Sequence, residues 1–140
     1  MSRASEYLTK NWKLPKFDKR EYTRWGWKCR FHKNLKLGKY VDIAFGTYIL
    51  AKYPVILEDE VQIGQCCILI TESSIDDKRG TIHIKSNARV GANSTIMPNV
   101  TIGENSIIGA MSFVNRDIPP NVVAYGIPAR IVKWIKHKKN

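Results

Sequence analysis

The chain lacks any apolar run approaching the roughly 18 residues that a membrane-crossing helix needs, so no spanning helix is expected. Its opening residues, MSRASEYLTKNW, carry no apolar signal core, and the expectation is a protein that is not secreted. Cysteine is scarce. There are three, an odd number, and Cys66 and Cys67 are adjacent, which suits neither a disulfide framework nor a zinc site. A reducing, cytoplasmic setting is expected. Histidine is equally scarce, and His32, His83 and His137 are too dispersed for metal-ligand spacing, so no metal is expected.

Acidic residues are nearly absent from both ends. Residues 1–40 hold twelve Lys/Arg against three acids (+9), residues 41–129 six against nine (−3), and residues 130–140 five against none (+5). The net charge of +11 therefore sits outside a slightly acidic body. Basic ends attract phosphorylated substrates, an anionic membrane surface or nucleic acid, and equally serve as a solvated surface. Specific nucleic-acid binding is not expected from them, whereas peripheral contact with an anionic membrane stays open.

What the chain has in abundance is a beat of six. Aliphatic residues recur at Leu37, Ile43 and Ile49, at Leu57, Ile63 and Leu69, at Ile84, Val90 and Ile96, and at Ile102, Ile108 and Val114. The next slot is Gly at 38, 64, 91, 103 and 109 and Ala at 44, and the fifth slot is small or β-branched almost throughout. Six fits neither a helical period nor plain strand alternation. It does fit short strands joined by tight turns, three strands to a triangular coil, with each coil stable only against its neighbours. Twelve hexads predict an all-β fold of about four coils over 37–117. They are interrupted by one polar excursion, residues 70–83, and flanked by caps at 1–36 and 118–140. The N-terminal segment interleaves aromatic and basic residues, a pattern that covers an open solenoid end or, alternatively, stacks a single nucleic-acid strand. PARIVKWIKHKK reads as a short C-terminal helix with Ile131, Trp134 and Ile135 on one face, and His137 as solvated tail.

The stretch IKSNARVGANSTIMPNVTIGENSIIGAMSFVNRDIPPNVVAYGIPARIV resembles the hexapeptide-repeat acyltransferases. It is most similar to the branch of galactoside, maltose and xenobiotic O-acetyltransferases and sugar acetyltransferases of surface-polysaccharide synthesis. The likeness covers roughly residues 37–133. It implies a left-handed parallel β-helix, assembly as a homotrimer, and acetyl-CoA or another acyl-CoA lying in a groove between adjacent subunits. The acceptor it implies is a sugar or nucleotide-sugar. By the same resemblance Ala92 and Ala110 line the pantetheine arm, and Arg116 and Arg130 neutralise CoA phosphates, a role suited to the guanidinium fork. Carbonic anhydrases share such helices but need a histidine trio for zinc, which this chain does not offer.

In the O-acetylating relatives a histidine just past the second coil removes the acceptor's hydroxyl proton. Here that position is Ser74, and no histidine falls within Leu69 to Thr81. Three readings follow. Another group, His83 or one of the loop carboxylates Glu72 and Asp76, serves as base; the acceptor is an amine that a carboxylate such as Asp76 or Asp77 merely orients; or the protein is a catalytically inactive trimeric binding or scaffold protein.

Overall fold

The computed structural model describes residues 12–136. His137 and the first eleven residues lie outside it. The beat of six becomes stacked strands of two or three residues. After β1 (Lys28–Arg30) and a single 3-10 turn at His32–Asn34, the first coil is β2 (Leu35–Leu37), β3 (Asp42–Ile43) and β4 (Tyr48–Leu50). The second is β5 (Val55–Leu57), β6 (Gln62–Ile63) and β7 (Ile68–Ile70). A hairpin, β8 (Glu72–Ser73) and β9 (Lys78–Arg79), leaves the stack at this point. The third coil is β10 (Ile82–Ile84), β11 (Arg89–Val90) and β12 (Thr95–Ile96), and the fourth is β13 (Thr101–Ile102), β14 (Ile107–Ile108) and β15 (Phe113–Val114). β16 (Val122–Gly126) and β17 (Ala129–Trp134) close the chain.

Equivalent strands pair in parallel into three sheets that form the faces of a prism. Face A is β1-β4-β7-β12-β15, face B is β2-β5-β10-β13, and face C is β3-β6-β11-β14-β16-β17. Registers run through the hexad positions. Cys29, Ile49, Leu69, Ile96 and Val114 stack on face A. Leu37, Leu57, Ile84 and Ile102 do so on face B, and Ile43, Ile63, Val90, Ile108 and Ala124 on face C. These ladders are the buried core. The small fifth-slot residues Thr47, Cys67, Ser94 and Ser112 are buried beside them, because a corner leaves room for one large inward side chain but not two.

Most corners turn through a residue with positive φ, among them Cys66, Asn87, Asn93, Asn99, Asn105, Met111 and Asn121. Asn dominates because its short polar side chain tolerates the left-handed region. At the corner between faces B and C, Asn87 donates to Asn105 (2.9 Å) and Asn105 to Asn121 (3.1 Å).

At the C-terminus the structure corrects one expectation. Ile131 and Trp134 lie not on a helix but on β17, which runs antiparallel to β16. A helix of a few turns is marginal on its own, whereas β16 leaves an edge of unpaired backbone groups that a strand rich in Ile and Val satisfies. Ile135 continues this docking by donating its N–H to the Asn121 carbonyl (2.7 Å). At the other end β1 adds one more strand to face A below the first coil. Trp27 is buried, Phe17 packs edge-on against it and stacks on His32, and the Trp12 indole donates to the Val41 carbonyl (2.9 Å). These rings cover the open end of the core. Tyr22, Trp25 and Phe31 stay exposed.

Candidate active site

The excursion is a compact hairpin on the edge between faces A and B. Thr71, fully buried at its root, donates to the Leu50 carbonyl (2.7 Å) and accepts from the Tyr53 N–H (3.0 Å). The Gly80 N–H closes the neck on the Thr71 carbonyl. Gly80 has φ +157, and a Cβ there would stand 2.6 Å from the Asn99 Cβ, so the returning strand must be bare to pass. The charges knit the hairpin together. Glu72 bonds Lys52 and Arg79 (both 3.1 Å), Arg79 reaches Asp77 (2.7 Å), and Lys78 sits 3.7 Å from Asp76. Lys52 and then Arg79 hold the Glu72 carboxyl below its ordinary value, and the Ser73 hydroxyl does the same for Asp76. The downward shifts make both carboxylates weaker bases, which suits orienting a polar acceptor better than abstracting its proton. Ser74 and Ile75 form the exposed tip.

His83 stands elsewhere. It points outward from the middle of face B, between Ile56 below and Thr101 above. Its Nε2 is hydrogen-bonded to Glu58 Oε2. The other carboxylate oxygen, Oε1, accepts from the Ser86 N–H (3.2 Å) and hydroxyl (3.1 Å). Partial burial pushes the Glu58 carboxyl up, but the bonds from His83 and Ser86 outweigh it and the net shift is downward. With Glu58 ionised, Nε2 is the nitrogen that donates in this bond. Glu58 is the partner that sequence reading missed. Its signal was the register: once Ile84 stacks on Leu57, the residue after Leu57 lies next to the one before Ile84.

Ala92 and Ala110 occupy the same place one coil apart, on the edge between faces C and A. The Met111 N–H donates to the Ala92 carbonyl (2.8 Å), and a Cβ on Gly91 would fall 2.5 Å from the Ala110 nitrogen. Tyr125 and Gly126 cover this edge, the Gly126 N–H donating to Ser112 Oγ (3.1 Å) and Tyr125 lying against Gly109. Arg130 pairs with Tyr125 across β16 and β17, so it crowns the same edge. Arg116 follows β15 and is exposed at the turn from face A toward Ile118, which bridges Ile102 of face B. The structure thus groups Ala92, Ala110 and Arg130 on one edge and Ser74, Asp76 and Arg116 on another. His83 sits apart from both, on the face opposite the alanine edge.

Residues 81–116, which span β10 to β15, match the family described as Bacterial transferase hexapeptide (six repeats). A hexapeptide-repeat acetyltransferase from Vibrio cholerae superposes with TM-score 0.75 at 30% identity, over 79% of this chain and 68% of that one. The same Vibrio protein has been solved with acetyl coenzyme A. Galactoside O-acetyltransferase of Escherichia coli is 35% identical over 117 residues, 77% of this chain and 58% of its own length. An N-acyltransferase from Bacillus cereus, solved with dTDP and 3-hydroxybutyryl-CoA, superposes with TM-score 0.68 at 26% identity, over 73% of this chain and 63% of that one. The chain belongs to the hexapeptide-repeat transferase family. It spans little more than half the length of the Escherichia coli relative.

Proposed function

We propose that the protein transfers an acyl group, acetyl in the first instance, from acyl-CoA to a hydroxyl or amino group of a sugar-like acceptor. The observation that carries this reading is the edge of Ala92 and Ala110, where Gly91, Ala92, Gly109 and Ala110 put the smallest side chains at the surface and bring the backbone of successive coils close to it. An extended amide-bearing arm can lie flat there and bond to main-chain groups. Arg130 at the crown of that edge, and Arg116 across the top of the fourth coil, supply the guanidinium groups for CoA phosphates. The likeness to a protein solved with acetyl coenzyme A points the same way.

The acceptor's nucleophile attacks the thioester carbonyl, the C–S bond breaks, and its proton ends on the departing CoA thiolate. For a hydroxyl acceptor, His83 Nδ1, with its tautomer fixed by Glu58, is the group in this chain suited to carry that proton. For an amine, the ionised Asp76 or Ser74 at the hairpin tip need only orient it. Because the alanine edge, the hairpin and His83 lie on different sides of one prism, a working site draws them from two copies. The outward column on face A runs Lys28, Tyr48, Ile68, Thr95 and Phe113; it is mostly apolar above Lys28, with Ile68 42% exposed, and a homotrimer that covers it would complete three such sites. We place this enzyme in the cytoplasm, where acyl-CoA is made.

Acetyl-CoA should raise the melting temperature. At about 100 times its Kd it adds about 2.7 kcal/mol, roughly 9 °C for a fold of this length. No shift at millimolar acetyl-CoA would reject the reading, and light scattering at the mass of one chain would reject the trimer.

A further inference from the structure

The N-terminal segment does more than cover the core; it forms the base of the prism. It touches all three corners in turn. At the corner between faces B and C, the Trp12 indole donates to the Val41 carbonyl (2.9 Å) and meets the Tyr40 ring edge-on. At the corner between faces A and B, Phe17 stacks on His32. At the corner between faces C and A, Gly26 lies against the Phe45 ring, and its carbonyl accepts from the Gly46 N–H (3.1 Å). Trp27 and Phe17 pack the inner side of this lid on the core, so its outer side is the end face of the molecule.

That outer side is cationic and apolar at once. Residues 12–27 hold five Lys/Arg and two acids, and both acids are turned to backbone. Asp18 accepts from the Arg20 and Tyr22 N–H groups, and Glu21 from the Phe31 N–H (2.8 Å). Among the described residues no carboxylate pairs with Lys16, Lys19, Arg20 or Arg24. Leu14 is 63% exposed, and the Trp25 and Phe31 rings are exposed with it. Phe31 keeps its ring there on left-handed backbone (φ +58), a conformation that the upper corners give mostly to Asn. Lys28 and Arg30 belong to face A and are left to the trimer contact.

We propose that this base docks on an anionic lipid bilayer, an inference independent of the acyl-transfer reading. Its apolar side chains are spread over the end face: Leu14 between the Trp12 and Phe17 anchors, Phe31 at the corner between faces A and B, and Trp25 beside face C. They define a plane and not a row, which fits a flat surface better than a threaded strand. Arg24 stands 5.1 Å over the Trp25 ring, so one face on which a nucleic-acid base would stack is already covered. The same pairing suits a bilayer, with the guanidinium at lipid phosphate and the ring in the headgroup layer. A second copy placed end to end would instead set like charges against each other. Prisms packed side by side along face A would bring their bases to one plane, where weak contacts multiply. Arg130, at the opposite end of face C, stays clear for CoA.

The test is co-sedimentation of the full chain with vesicles of equal parts phosphatidylcholine and phosphatidylglycerol. It should bind these about tenfold or more tightly than pure phosphatidylcholine, and added salt should weaken the binding. Lys19→Gln with Arg20→Gln, and separately Leu14→Asn with Phe31→Asn, should each weaken it about tenfold or more. Melting curves should show both variants folded, with the acetyl-CoA shift unchanged. No binding, equal binding to the two kinds of vesicle, or no loss in either variant overturns the proposal. Brominated lipid should quench the tryptophan fluorescence of the wild type and quench Trp25→Tyr less. Quenching kept in Trp25→Tyr but lost in Trp134→Tyr would put the opposite end on the membrane and overturn it as well. So would tight binding of a thymidine oligonucleotide without vesicle binding, which makes the base a nucleic-acid surface. Vesicle binding without an acetyl-CoA shift upholds this proposal and rejects acyl transfer; the reverse result rejects this proposal alone.

Discussion

Replacing Gly91 with alanine tests whether the coils are as closely stacked as the alanine edge requires. The added Cβ would meet the Ala110 nitrogen at 2.5 Å, its Cα at 2.8 Å and the Gly109 carbonyl carbon at 2.9 Å. All three are backbone, so no side chain can rotate away, and the third and fourth coils must part at that corner. The bonds on either side, Gly91 N–H to the Ile108 carbonyl and Met111 N–H to the Ala92 carbonyl, are both 2.8 Å and would lengthen. Overpacking costs about 1–3 kcal/mol, and weakening two hydrogen bonds adds up to about 1 kcal/mol each. A loss of about 3 kcal/mol, against an unfolding entropy of about 0.3 kcal/mol per kelvin for this length, lowers the melting temperature by roughly 10 °C. Calorimetry should show this drop, and a smaller acetyl-CoA shift, because the widened corner is the proposed seat of the pantetheine arm. Ala44→Gly is the control: the first coil already carries a methyl group in the same slot, so that change should cost no more than the usual glycine penalty of about 0.5–1 kcal/mol. A Gly91→Ala protein melting within about 2 °C of the wild type would refute the packing argument.

Thr71→Val should destabilise by about 1 kcal/mol, since it leaves the half-buried Tyr53 N–H without its acceptor; an unchanged urea midpoint would show that the hairpin root is not held this way. The Glu58 carboxyl, raised by burial but lowered further by His83 and Ser86, titrates below its ordinary value in the fold. Its contribution is therefore present above the unfolded carboxylate pKa and lost as pH falls through the folded one. Melting temperatures from pH 7 to pH 3 should fall less steeply in Glu58→Gln than in the wild type, and parallel curves would contradict the pairing. Burial, with Glu21 nearby, pushes the Cys29 thiol up to about 12, and burial raises that of Cys67. A disulfide reagent at pH 8 should therefore titrate one thiol rapidly, exposed Cys66, and the other two only on unfolding; three fast thiols would mean that the corner is open.

The repeat was legible in the sequence because an inward side chain every sixth residue leaves a mark that no loop erases. From Ile43 to Val114 the hexad positions are the buried ladders, with Leu37 half-buried at the open end, and the longest break in the beat is the hairpin at residues 70–83. The ends were less legible because they do not repeat. Cys29 stacks under Ile49, but nothing on either side of Cys29 keeps the beat, so β1 went unread. At the other end Ile131, Val132 and Trp134 fit a helix face or a strand equally well. What decided between them was an open edge on β16, a tertiary fact absent from local pattern. The Glu58–His83 contact lay between these extremes. Its register followed from the hexads across the hairpin, but that the imidazole would turn toward Glu58 and not toward Thr101 depends on side-chain geometry.

The same stacking explains why the candidate residues, plausible one by one, fail to converge within one chain. A triangular coil sends every third hexad to the same face, so Ala92 and Ala110, eighteen positions apart in number, share an edge. Ser74 and Asp76 leave the chain at the next corner and must emerge on a different edge. No rotamer change brings those edges together, because the buried ladders of Ile, Leu and Val fill the space between them. A reaction that needs both therefore needs two prisms side by side, and face A lies between the two edges.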